Sequence, residues 1–177
     1  MNVAILKAGA VGLFCLISVS LPASIARAEV SLAGTSLAGT SLAGTWTLVA
    51  ADVLHADGTR GPDYGAAPKG LLLIDAQGHY SLQIFKAERP RFASGDKQTA
   101  TPGEYQAAVL GSSTHFGTIV VEPAAGTLTF KIENASFPNW EGTEQKRTFE
   151  LNGDELSYRV PPRPDGNIPI SVWRRLN

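Results

Sequence analysis

Five side chains in this sequence carry most of its chemical potential: Arg147, Gln145, His115, Tyr80 and Tyr158. None belongs to a motif with known chemistry. There is no His-Glu-x-x-His, no Gly-x-Ser-x-Gly and no glycine-rich phosphate loop, and the single cysteine, Cys15, allows no cysteine pair. The histidines at 55, 79 and 115 are too far apart for a local zinc motif, so neither a metal nor another cofactor is called for. What remains is recognition and proton transfer. An arginine can hold a carboxylate in a two-pronged geometry, and a tyrosine or histidine can move a proton. Three loop residues join the candidates. Phe137 and Trp140 stand together as a lid or as a plug for one end of the fold. Arg91, beside Arg89, either clamps an anionic head group or ties its loop to a neighbouring helix.

Whether the five meet depends on strand parity. In the run Gln145 to Leu151, Lys146, Thr148 and Glu150 take the solvent face, so Gln145, Arg147, Phe149 and Leu151 point inwards. Glu122 fixes the opposite parity for His115, Gly117, Ile119 and Val121, where Gly117 leaves room. The same test turns Tyr80, Leu82 and Ile84 inwards, then Leu128, Phe130 and Ile132, and then Leu156, Tyr158 and Val160. An inward arginine is the most informative of these residues. Buried without a counter-charge it would cost several kcal/mol, so it must meet a carboxylate, reach water at a mouth, or bind an anionic ligand. His115 has a plainer role available, packed and hydrogen-bonded to a tyrosine or a carbonyl. His55 and His79 fall at a strand end and a turn edge, and are expected at the surface.

The strands themselves are short. They run Gly44 to Leu54, Gly70 to Asp75, His79 to Phe85, His115 to Glu122, Thr127 to Glu133, Gln145 to Leu151, Glu155 to Val160 and Ile170 to Arg174, with turn signals at Asp57-Gly58, Gln77-Gly78, Pro123 to Gly126 and Asn152-Gly153. The second and third should form a hairpin. Inward faces of the first, second and eighth cannot be assigned by alternation. Thr101-Pro102-Gly103-Glu104 is a helix start, with a capping residue, proline at the first helical position and glutamate at the third, and that helix should end near Gly111. Eight strands and one short helix between the third and fourth make an all-β barrel or sandwich.

Ahead of the strands lies an address. Met1 to Lys7 is a positive n-region, Ala8 to Leu21 an apolar run too short to anchor in a bilayer, and Ala26-Arg27-Ala28 a small-x-small cleavage pattern. A signal peptide over 1–28 and a soluble exported protein, periplasmic or secreted, are expected. Cys15 would leave with the peptide; Gly12-Leu13-Phe14 before it is a poor lipidation site. Residues 29–43 hold repeats of Ser-Leu-Ala-Gly-Thr and read as a flexible arm before a domain over 44–177. The 177 residues are 44% hydrophobic and 18% charged. A chain this apolar can bury a core, which excludes global disorder. Lys7 and Arg27 are the only charges in 1–28, which leaves 13 basic against 16 acidic side chains. That balance argues against a nucleic-acid partner and against binding an anionic membrane by bulk charge.

Gly44-Thr45-Trp46 is similar to the Gly-x-Trp opening of the lipocalin superfamily. Several further segments resemble the microbial lipocalin-like domain family by their order and spacing: Gly70-Leu71-Leu72-Leu73-Ile74 with Gly78-His79-Tyr80-Ser81-Leu82-Gln83, Arg89-Pro90-Arg91-Phe92-Ala93-Ser94-Gly95-Asp96, Thr101-Pro102-x-Glu104-Tyr105, His115-Phe116-Gly117-Thr118, and Phe137-Pro138-Asn139-Trp140-x-Gly142-Thr143-x-Gln145-x-Arg147. The likeness covers about residues 44–175. It implies an eight-stranded antiparallel lipocalin-like barrel with a small apolar molecule inside, and an arginine after Trp173, Arg174 or Arg175, packed over Trp46. A helix between the third and fourth strands departs from the lipocalin habit. The expected function is binding of a lipophilic ligand such as a fatty acid or terpenoid. Two alternatives stand beside it: a barrel cyclase or isomerase using Tyr80, His115 or Tyr158, and a packed, ligand-free envelope interaction module.

Overall fold

The first strand, β1 (Gly44–Leu54), shows why alternation gives no answer there: Trp46 and Leu48 are buried, and then so are Ala51 and Val53. An irregularity between Leu48 and Ala50 in the pairing with the last strand places one extra residue in β1 and reverses its parity. The computed structural model describes residues 41–177. The expected signal peptide over 1–28 and most of the expected arm over 29–43 lie outside the described residues.

A three-residue strand that the sequence reading did not anticipate, β2 (Arg60–Pro62), pairs with Asp52 to Leu54. It occupies the edge of β1 beyond Gly44–Thr47, where β3 (Lys69–Ile74) is paired. β3 and β4 (His79–Phe85) form the expected hairpin. Helix α1 (Pro102–Leu110) follows β4, not the third strand, because β2 adds one strand ahead of it. Its start is the expected capping box: the Glu104 amide donates to Thr101 Oγ1, and the Thr101 amide donates to Glu104 Oε2 at 2.7 Å. Five strands remain, β5 (Ser112–Glu122), β6 (Thr127–Ala135), β7 (Glu144–Asn152), β8 (Glu155–Arg159) and β9 (Ile168–Leu176). In the β7–β8 hairpin the turn residues are Gly153 and Asp154, with Asn152 still paired to Glu155.

All pairings are antiparallel. The sheet runs β1, β3, β4, β5, β6, β7, β8, β9 and returns to β1 along its length, an eight-stranded closed barrel with β2 as a flap on one edge. Closure removes the exposed edges that an open sheet would leave. The buried set includes Trp46, Leu72, Leu82, Leu128, Phe130, Leu156, Tyr158 and Trp173. Every inward assignment made by alternation falls on a buried or half-buried residue. Gly117 leaves no open space, however. It sits at a bulge between β5 and β6, and a Cβ there would strike the Lys131 carbonyl oxygen and the Glu133 amide nitrogen.

One barrel end is sealed. Leu42 folds under it, and the Trp46 indole N–H donates to the Leu42 carbonyl at 3.0 Å. Arg175, opposite Trp46 in the β1–β9 register, lays its guanidinium 4.0 Å from the centre of the Trp46 ring. The same group donates to the carbonyls of Ala43 (2.6 Å) and Ser41 (2.9 Å). Of the two arginines considered for this place, Arg175 takes it, and Arg174 faces solvent.

Candidate functional site

Phe130, fully buried on β6, is the hub of the other half of the barrel. Tyr80 from β4 and His115 from β5 meet its ring edge-on, at 4.7 and 5.4 Å between centroids. Tyr158 from β8 does so at 5.8 Å, and the Arg147 guanidinium from β7 lies over it at 4.3 Å. Four strands thus deliver four polar side chains around one aromatic ring. The period-2 alternation of each strand is what aims them there.

Arg147 is 6% exposed and has no carboxylate partner among the described residues. Its side chain makes one hydrogen bond, Nη2 to Gln145 Oε1 at 2.8 Å, and its Nε is buried without a partner. The guanidinium also stacks on Tyr158, 4.8 Å from the ring centre. Burial holds its pKa below the ordinary value, and the nearby Tyr158 and Tyr80 phenols partly oppose that. An arginine nonetheless stays charged in a protein. The Tyr158 hydroxyl is buried close enough to the guanidinium to help hold its charge, but the two do not align as a hydrogen bond, and its own proton has no acceptor among the described residues.

Tyr80 and His115 form a closed pair, Oη to Nδ1 at 2.7 Å. Donation from the phenol to Nδ1 satisfies both atoms and places the ring proton on Nε2, whereas the reverse direction would strand the buried phenol proton, which has no other acceptor among the described residues. Burial, and then the charge on Arg147, push the His115 pKa down to about 3, so the ring is neutral at physiological pH. Burial likewise raises the Tyr80 pKa above the usual phenol range.

Beside this cluster the barrel holds a cavity of about 470 Å³ that opens to solvent at its rim. Its inner wall is made by Leu82, Ile84, Ala51, Ile170 and Tyr158, with Arg147 and His115 as the polar groups at its inner end. Trp140 and Gln145 also line it. The rim carries charges tied in pairs: Asp63 with Arg163 (2.7 Å), Asp52 with Arg60 (2.8 Å), Lys146 with Glu122 (3.1 Å) and Glu144 with Lys131 (3.2 Å). Arg147 is the cavity-lining cation that no carboxylate answers among the described residues.

Five of the eight candidate residues therefore share the cavity wall: Arg147, Gln145, His115, Tyr158 and Trp140. The other three do not. Tyr80 stands behind His115 and reaches the cavity only through it. Phe137 is exposed and packs on Trp140 at 5.5 Å, outside the wall. Arg91 is exposed on the loop after β4, and that loop is tied to α1 by the Ala93 amide donating to Glu104 Oε1 at 2.6 Å, the Tyr105 hydroxyl donating to the Lys97 carbonyl at 2.7 Å, and Phe92 packed on the Tyr105 ring. Arg89 instead stacks on Phe85. Among the wall residues that sequence reading missed are Tyr64 and the Asp63 that pairs with Arg163, because residues 59–68 carry no long periodic run. Among the described residues no cluster of His, Cys, Asp or Glu is placed to hold a metal, and no helix is long and apolar enough to cross a membrane.

Two solved structures are similar to this chain. A lipocalin-like protein from Bacteroides uniformis is 17% identical over 76% of this chain and 98% of its own, with a TM-score of 0.40. A mutant of the fluorescent protein UnaG is 15% identical over 76% of this chain and 95% of its own, with a TM-score of 0.33. No curated protein matches the sequence. Residues 43–176, which span every strand of the barrel, match the lipocalin-like domain, and the chain belongs to that family.

Proposed function

We propose that this is an exported carrier that holds a small lipophilic molecule inside its barrel. The observation that carries this reading is the cavity. It opens into the barrel, most of its wall area is apolar with polar groups at the inner end and paired charges on the rim, and its volume falls in the range of about 300–1,000 Å³ that accommodates a small organic molecule. A packed, ligand-free interaction module has no use for such a space. The enzyme alternative is less well supported by the cluster. The His115 nitrogen that could act as a base is already occupied by the Tyr80 hydroxyl, and its other nitrogen carries a proton, so it offers the cavity a hydrogen-bond donor. Native mass spectrometry of protein purified from the envelope should detect a bound lipophile. Stripped protein should rebind members of a panel of fatty acids, fatty alcohols and terpenoids at one molecule per chain. Failure of every compound to bind would reject the carrier reading.

A further inference from the structure

We infer that the cavity is shaped for a singly charged amphiphile, a carboxylic acid on a medium-length hydrocarbon body, whose carboxylate is taken by Arg147 with His115 and Tyr158. The inference rests on the carrier reading and specifies its ligand class. A lone guanidinium 6% exposed in an apolar barrel is costly, and neither its single hydrogen bond to Gln145 nor its two ring contacts supply a counter-charge. The rim charges are already paired with one another, so they leave the interior field of Arg147 unopposed. An anion entering the cavity would remove that cost.

The donor set then selects the kind of anion. Arg147 retains N–H groups beyond the one given to Gln145, the Tyr158 hydroxyl has no partner, and neutral His115 presents Nε2–H. All three residues line the same cavity and pack on the same ring, Phe130. Three donors with a single positive charge suit a carboxylate, whose two oxygens accept about four hydrogen bonds. A phosphate monoester carries about −1.5 to −2 at neutral pH and would leave excess negative charge buried. Volume sets the body. At about 470 Å³ the cavity lies toward the lower end of the range of about 300–1,000 Å³ for small organic molecules, which suits a hydrocarbon body of medium length.

Calorimetric titration of stripped full-length mature protein at pH 7 with dodecanoic acid, methyl dodecanoate, dodecan-1-ol and dodecyl phosphate tests this. The acid should bind about 10- to 150-fold tighter than the ester, the ratio expected for a hydrogen bond between charged groups. It should also exceed the alcohol and the phosphate. In Arg147→Met the acid should fall to the level of the ester, with the ester unchanged. Tyr158→Phe, which keeps the ring and removes only an unbonded hydroxyl, should weaken the acid several-fold and spare the ester. Acid, ester and alcohol binding alike in the wild type would overturn the inference while leaving the carrier reading intact. So would a loss of all three together in Arg147→Met. No binding by any of the four would overturn both.

Discussion

Replacing Arg147 by methionine should leave the ligand-free protein as stable as the wild type or more so, which is the reverse of the usual outcome at a buried charged residue. The magnitude follows from its surroundings. Desolvating the guanidinium costs several kcal/mol. Against this stand one hydrogen bond to Gln145, about 1.5–3 kcal/mol, and stacking on Phe130 and Tyr158, about 0.5–2 kcal/mol each. Methionine fills a similar volume, keeps contact with both rings and adapts to the gap. Gln145 is only half-buried, so its freed oxygen can turn to water. Because methionine keeps the ring contacts, the hydrogen bond is the main attraction lost, and setting its about 1.5–3 kcal/mol against the desolvation cost favours methionine by about 0–3 kcal/mol, in line with replacements of other buried ionic groups.

The assay is urea unfolding followed by tryptophan fluorescence, on protein refolded from denaturant to strip any bound lipid. Adding dodecanoate at a hundred times its dissociation constant should then stabilise the wild type by about 2.7 kcal/mol and the variant far less, so the ligand narrows or reverses the order. A loss of about 3–5 kcal/mol in the stripped variant would refute the reasoning. That is the penalty for breaking a buried ion pair, and it would mean that Arg147 has a structural carboxylate partner.

Tyr80→Phe should cost about 1–3 kcal/mol, because it strands the buried His115 Nδ1, while Tyr158→Phe should cost nearly nothing in the ligand-free protein, its hydroxyl being unbonded; paired urea curves compare them. His115 has a folded-state pKa of about 3 against an ordinary 6.5, so the unfolded chain binds its proton first as pH falls. Its contribution is fully present above pH 6.5 and is lost towards pH 3 at about 1.4 kcal/mol per pH unit; His115→Gln should flatten the stability curve between pH 6.5 and 5, above the range where most carboxylates titrate. Arg175→Lys should destabilise by about 1–3 kcal/mol, because an ammonium cannot stack on Trp46 while donating to the carbonyls of both Ala43 and Ser41. Intact-mass analysis of the envelope fraction should show a chain beginning at Glu29; a mass retaining residues 1–28 or a lipid on Cys15 would contradict export as a soluble protein.

The site was legible in the sequence wherever one face of a strand is wet. Lys146, Thr148 and Glu150 mark the outside of β7 and so place Gln145 and Arg147 inside; the same logic holds for Tyr80, His115 and Tyr158. It fails where both parities are buried or a bulge intervenes. In β9, Ile170, Ser171, Val172 and Trp173 are all buried, and β1 changes parity between Leu48 and Ala50. Loops were less legible for a different reason. The capping box at Thr101 is local chemistry and can be read, but the place of Arg91, Phe137 and Tyr64 relative to the cavity is set by contacts between distant segments. Nor does any local pattern announce β2, three residues held by pairing to a segment of β1 that β3 leaves free.

Two arginines, one at the sealed end of this barrel and one at the cavity, show how partner counting separates support from recognition. Both stack on aromatic rings, Arg175 on Trp46 and Arg147 on Phe130 and Tyr158. Arg175 then spends its N–H groups on the chain itself, on two carbonyls of the segment that seals the barrel end, and has Asp154 at 3.6 Å besides. Arg147, the more deeply buried of the two, has one glutamine. If burial and stacking were all that such a position required, the deeper arginine would need more internal partners, since its desolvation is greater. It has fewer, and the unbonded Tyr158 hydroxyl stands beside it. The sealed end is thus complete as folded, whereas the cavity end holds donors and a charge that no group among the described residues satisfies.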